Sequence, residues 1–211
     1  MKDSEDKVGG VVENTPVNRK GAKTVPRRAL FKMGLVTGVA VPMATLGSAA
    51  LGQPPNRARP QQGDFLVFEE GPHQGEVVRP ELLELEQKPV SALARDPETD
   101  TLRDGSRLNR IMITLIDNEK MSERYRSNAA EGVIAYSAIC THTGCDVINW
   151  DAGLLRMACP CHESQFDIYN GGNVVGGPAP RPLAMLPLEV VDGEVKVAAA
   201  FRGRVGFTQQ F

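Results

Sequence analysis

An all-β domain is the fold class this sequence predicts, on three observations. Apolar residues come in short runs bounded by Gly, Pro, Asn or Asp, as in Ile111–Met112–Ile113–Thr114–Leu115–Ile116, with no long stretch at helical spacing. Fifteen Pro and twenty-one Gly in 211 residues break the chain too often for long helices. Turn signals such as Asn170–Gly171–Gly172 and Asp192–Gly193 recur between the runs, giving many short strands at short spacing.

Length and composition fit one domain plus extensions. A hydrophobic content of 41% and a charged content of 24% are ordinary for a globular chain, and aromatics at 5% leave an aliphatic core. The net charge of −2 hides an asymmetry. Residues 1–32 carry eight basic against four acidic residues, and the remainder sixteen against twenty-two. The acidic body argues against nucleic acid as a partner, because phosphate contacts need a basic face.

In chain order, residues 1–25 are polar and read as a disordered cytoplasmic tail. Residues 26–51 begin with Pro26–Arg27–Arg28 and continue without charge after Lys32. Paired Arg before a weakly apolar, Gly- and Ala-rich run resembles a twin-arginine export signal, with Pro26 standing where Ser or Thr is usual. The run from Met33 to Leu51, at about 1.5 Å per residue, just spans a bilayer core, so it is expected to stay as an anchor. Ser48–Ala49–Ala50 offers a cleavage site as the other outcome. This places the chain on the outer face of a bacterial cytoplasmic membrane, with its head in the periplasm. Residues 52–63, rich in Pro, Gly and Gln, read as a semi-flexible spacer.

The folded body is expected over 64–205, with 206–211 as a C-terminal tail. Strands are expected at Asp64–Phe68, Glu76–Arg79, Leu108–Asp117, Val133–Ala138, Phe166–Tyr169, Leu186–Val191 and Glu194–Ala199. A hairpin is expected from Asp146–Trp150 and Leu154–Ala158 around Asp151–Ala152–Gly153. Residues 80–95 suit either a helix or a strand. Asn118–Ala130 reads as a short surface helix.

The chemistry lies in Cys140–Thr141–His142–Thr143–Gly144–Cys145 and Cys159–Pro160–Cys161–His162–Glu163–Ser164. Together they hold all four Cys and two of the three His. Three chemistries suit such a set. Zinc takes Cys and His at close spacing, but six candidates exceed its four positions and Cys-x-His is an unusual spacing. Two plain disulfides suit an exported protein but leave the matched histidines unexplained. A [2Fe–2S] cluster on two Cys and two His, with the other Cys pair bridged, uses every one of these residues.

The paired pattern Cys-Thr-His-x-Gly-Cys and Cys-Pro-Cys-His-x-Ser resembles the signature of the Rieske iron–sulfur family, and the likeness extends over about residues 64–205. It implies a Rieske-type fold of stacked antiparallel sheets, with a small cluster-binding subdomain (loops within 140–180) inserted in a base domain. It implies that Cys140 and Cys159 hold one iron and His142 and His162 the other, and that Cys145 and Cys161 form a disulfide joining the loops. Ser164 matches a serine that bonds a bridging sulfide. Phe166 stands where respiratory members carry a tyrosine that bonds a ligand sulfur, so the expected potential lies below the top of the roughly −150 to +300 mV span of such centres. Gly177, Pro178, Ala179 and Pro180 match the proline loop that covers the cluster, where Pro also removes N–H groups that would need partners. The exposed ligand, His162, is expected to meet quinol.

Cys145 and Cys161 set the chain apart from Rieske ferredoxins and ring-hydroxylating oxygenases. The oxygenases also need a mononuclear iron on two more His, and only His73 remains. His73 reads as a solvated loop histidine, Trp150 and Tyr136 as scaffold, and Asp167 as a structural hydrogen-bonding group. The resemblance implies two functions. One is the iron–sulfur subunit of a quinol–cytochrome c reductase, with cytochrome b, a c-type cytochrome and quinol as partners. The other is the small Rieske subunit of a periplasmic arsenite-oxidase-type enzyme with a molybdopterin large subunit. A structural β domain stapled by disulfides is the remote alternative.

Overall fold

The computed structural model describes residues 53–208. The expected tail at 1–25 and the signal or anchor at 26–51 lie outside the described residues. Among the described residues no helix is long and apolar enough to cross a membrane.

The chain forms β1 (Phe65–Phe68), β2 (Val90–Arg95), β3 (Ile111–Leu115) and β4 (Val133–Ser137). It then forms β5 (Asn149–Asp151), β6 (Arg156–Ala158), β7 (Gln165–Asp167) and β8 (Asn173–Gly176), and returns as β9 (Leu188–Val191) and β10 (Glu194–Val197). Ten short strands, one α-helical turn and four 3₁₀ turns make the described body nearly all-β. The outer strands build a six-stranded antiparallel sheet in the order β4-β3-β2-β1-β10-β9. The inserted strands build a separate four-stranded meander, β5-β6-β7-β8. The free edge of β4 is covered by the segment leading into β9. Ser137 N donates to Ala184 O and Leu186 N to Ala135 O, both within 2.9 Å. The large sheet thus curls over on itself and its edge is not left open for pairing with another chain.

Strand β4 is buried along its whole length because it faces two cores. Successive side chains point to opposite faces of a strand. Val133 and Ala135 therefore join Leu66, Ile111, Ile113, Val195 and Val197 in one core. Ile134 and Tyr136 join Met112, Met157, Phe166 and the two cysteines Cys140 and Cys159 in the other. The β3–β4 ladder is the wall between them. Tyr136 also ties the two sheets together, its buried hydroxyl donating to Ile168 O at 2.7 Å.

Four expectations change. The helix expected over Asn118–Ala130 is one turn, Glu123–Arg126. The buried Asn128 ends it by donating its side-chain amide to Tyr125 O. The expected strand at Glu76–Arg79 pairs only as a bridge, Val67 with Val77, because Pro80 starts a 3₁₀ turn (Pro80–Leu82) directly after it. Strand β8 was not expected, and it completes the meander.

The fourth change is the connector at 52–63. Its residues from Pro54 on do not stand off as a spacer but lie on the body. Arg103, 5% exposed, pairs with Asp64 through Nε–Oδ2 at 2.5 Å and Nη2–Oδ1 at 2.8 Å, and Arg103 Nη1 donates to Pro55 O. Asn109, fully buried, donates to Ala58 O at 2.7 Å. A Pro-rich segment has few backbone N–H groups to satisfy, so it docks mainly by having its carbonyls captured.

Candidate metal centre

Strand β4 feeds the first loop and β6 the second, and the two loops share one hydrogen-bond frame. Cys140 N donates to Cys145 O at 2.8 Å, and Gly144 N donates back to Cys140 O at 3.1 Å. Cys159 N donates to Ser164 O at 2.9 Å, and Glu163 N back to Cys159 O at 3.0 Å. In each loop the fifth residue takes a positive φ, +81° at Gly144 and +57° at Glu163. Only the first needs glycine for space: a Cβ at Gly144 would sit 2.5 Å from the Phe207 ring. The repeated frame explains why the two sequence patterns match: each tight turn lifts one Cys, one His and one further Cys to the same end of the molecule.

Cys140 and Cys159 are free and buried, 1% and 2% exposed. Burial, above all, pushes the Cys140 thiol up, and the neighbouring Cys159 adds to it. His142 is half-buried and His162 exposed. Their rings meet edge to face, 4.6 Å apart at 85°. Cys145 and Cys161 form a disulfide that joins the loops. The sulfurs of Cys145, Cys159 and Cys161 lie within 4.8 Å of one another. Two of those three are spent in the disulfide, so the thiol donors are Cys140 and Cys159.

Ser164, fully buried, accepts a hydrogen bond from Ala179 N at 3.2 Å. This links the second loop to the expected proline loop, Gly177–Pro180, and leaves the Ser164 proton available to the centre. Gly177 (φ +76°) is required there. A Cβ on it would lie 2.5 Å from Ser164 Cα, against main chain that cannot yield. Phe166 is fully buried and packs in the same core as Cys140, Cys159 and Met157. His73 sits elsewhere, 5.6 Å from the Phe68 ring and bonded to Glu76. Asp167 accepts from Tyr169 N at 3.0 Å, a local structural role.

Two contributions escaped the sequence reading. Arg181 O accepts from the Thr141 hydroxyl at 2.6 Å, bracing the first loop from below. The segment expected as a C-terminal tail packs Phe207 over Gly144. A large aromatic near the end of a chain poor in aromatics was the one available signal.

Two buried thiols, an exposed imidazole and a half-buried one form a donor set that asks for metal. His142 Nδ1 is buried without a partner, and an unpaired buried polar atom is costly unless something binds it. A tetrahedral zinc ion also suits two Cys and two His, so the donors alone do not choose. Residues 105–187 match the family model described as the Rieske [2Fe-2S] domain. The cytochrome bc1 complex Rieske iron-sulfur subunit of Streptomyces lividans is 40% identical over 77 residues, covering 36% of this chain and 45% of that protein. The subunit of the same name from Corynebacterium glutamicum is 41% identical over 91 residues, covering 42% of this chain and 22% of that one. A putative respiratory nitrate reductase subunit Rieske of Haloferax mediterranei is 46% identical over 76 residues, covering 36% of this chain and 34% of that one. The match thus spans less than half the length of these curated relatives. The match favours an iron–sulfur cluster over zinc: residues 105–187 are similar to a Rieske [2Fe–2S] domain, and here a disulfide joins the two loops that carry the donors.

Proposed function

We propose that the chain is the iron–sulfur subunit of a quinol–cytochrome c reductase, with cytochrome b and a c-type cytochrome as partners. The observation that carries this is the split in burial among the four donors. Cys140 and Cys159 are closed off beneath the loops, while His162 faces solvent. In this reading Cys140 and Cys159 hold one iron and His142 and His162 the other. When bound, the cluster supplies one-electron redox chemistry at the tip of the domain. His162 presents its ring to quinol as a hydrogen-bond acceptor. The disulfide and the Gly177–Pro180 loop keep the ligand loops closed over the buried thiols. Residues 26–51 serve as twin-arginine signal and anchor, supported by the Arg27–Arg28 pair and the uncharged run that follows.

A second reading, the small Rieske subunit of a periplasmic arsenite-oxidase-type molybdenum enzyme, is favoured by Phe166 in place of tyrosine. It is also favoured by the relative named as a Rieske subunit of a nitrate reductase. Affinity purification of the tagged full chain from native membranes separates the two. Co-elution of b- and c-type haem absorbance is the expected result. A molybdopterin partner without b haem would replace the first reading by the second. A colourless chain lacking the low-temperature electron paramagnetic resonance of a reduced Rieske centre would overturn both.

A further inference from the structure

A cleft lies at the foot of the loops, where the helical turn Glu123–Arg126, the Gly171 turn, the 181–185 segment and residues 202–204 meet. It encloses about 420 Å³ and is lined by Arg124, Arg181, Arg202 and Arg204, with Tyr125 and no carboxylate. The body around it is acidic, with sixteen basic against twenty-two acidic residues beyond position 32. Yet among the described residues none of these four Arg makes an ion pair. Glu123 adjoins Arg124 in the chain, but it is exposed and does not line the cleft.

Parts of the cleft wall are firmly held. Arg202 exchanges both main-chain hydrogen bonds with Met185, at 2.7 and 3.0 Å. Arg124 stacks on the Tyr125 ring at 5.6 Å, and that ring lies so close to Gly171 that a Cβ there would be 2.4 Å away. The Arg181 guanidinium donates to Arg204 O at 2.6 Å, to Gly206 O, and to Thr208 Oγ1 at 3.4 Å. Burial, and then the nearby Arg204, lower the proton affinity of Arg181. Arg124, Arg202 and Arg204 are exposed along this concave space, beside an Arg181 whose guanidinium is already hydrogen-bonded. Like charges gathered there repel each other, and an anion relieves that repulsion.

We propose that this cleft binds a phosphate-type oxyanion, and that Arg181 couples its occupancy to the first ligand loop. Guanidinium forks match the paired oxygens of phosphate better than any other side chain does. A small concave site with three of them exposed at its rim, Arg124, Arg202 and Arg204, suits a compact polyanion rather than a flat acidic protein face. The coupling is the hydrogen bond from Thr141, which sits between Cys140 and His142, to Arg181 O. Added negative charge on that side disfavours the reduced centre, so binding lowers its reduction potential. The anion is either free phosphate or the headgroup of an anionic phospholipid.

The test uses the full chain with its centre assembled. Inorganic phosphate is titrated calorimetrically against chloride at matched ionic strength. Vesicles of phosphatidylglycerol, and of phosphatidylcholine as control, are tested by flotation. Saturable phosphate binding, weakened at least tenfold in Arg202→Gln/Arg204→Gln, supports the free-ion source. Flotation with phosphatidylglycerol alone, lost in the same variant, supports the lipid source. Bound anion should lower the potential in the native chain and not in the variant, with unchanged circular dichroism showing that the variant folds. Binding to neither probe, or binding that the variant retains, overturns the proposal. None of these readings needs the redox partner, so the proposed function stands or falls separately.

Discussion

Phe166 and Ser164 are fully buried beside the two free thiols, and we propose that they tune the centre. Hydrogen bonds to cluster sulfurs stabilise the added electron and raise the potential. Phe166 lies in the core that holds Cys140 and Cys159 but has no proton to donate. Phe166→Tyr is expected to raise the reduction potential in voltammetry, and an unchanged or lowered value removes Phe166 from the account. Ser164→Ala acts in the opposite direction and has a second effect. It strips the Ala179 N–H of its buried acceptor, which should cost about 1–3 kcal/mol in chemical unfolding. A lower potential with undiminished stability would mean that the Ala179 N–H finds another partner.

At the scale of elements, the ligand loops depend on a covalent clamp because they have little core of their own. Cys145 and Cys161 are 16 residues apart, and closing a loop of that size restricts the unfolded chain by about 3 kcal/mol. Cys145→Ser/Cys161→Ser should lose about that much in denaturant unfolding and should release iron faster to a chelator. Equal release rates would show that the β5–β8 meander holds the loops unaided. The docked connector rests on Arg103 and Asp64, 6% and 2% exposed at the side chain. Arg103→Met leaves a buried carboxylate without its counter-ion, a change that costs about 3–5 kcal/mol. It should also open residues 54–60 to protease before the body unfolds. Protection of those residues in the variant would show that Asn109 alone suffices to dock them.

On the scale of the whole molecule, the base and the metal-binding half have separate cores but one shared wall, β3–β4. Tyr136 crosses from that wall to Ile168 of the meander. Neither half can therefore lose its packing without exposing the other. Heating should remove far-ultraviolet circular dichroism and the visible absorbance of the centre in one transition. Two separated midpoints would show that the halves are independent.

The sequence alone determined the all-β class, the two ligand loops and the residue types they present. These are written locally: short apolar runs between turn residues make strands, and a motif of six residues fixes its own tight turn. Boundaries and docking were less legible, because they depend on partners distant in the chain. Asn118–Ala130 has helix-forming composition, but Asn128 ends the helix after one turn. Residues 54–63 have the composition of a spacer and become part of the body because distant groups, Arg103 and Asn109 among them, reach their carbonyls. Asn173–Gly176 offers only two β-branched residues and becomes a strand because β7 pairs with it. Only the tertiary structure decided that Phe207 lies over Gly144, and that four arginines from three separate segments line one cleft. A sequence records which side chains the chain carries, but which distant ones share a space follows from how the two sheets pack.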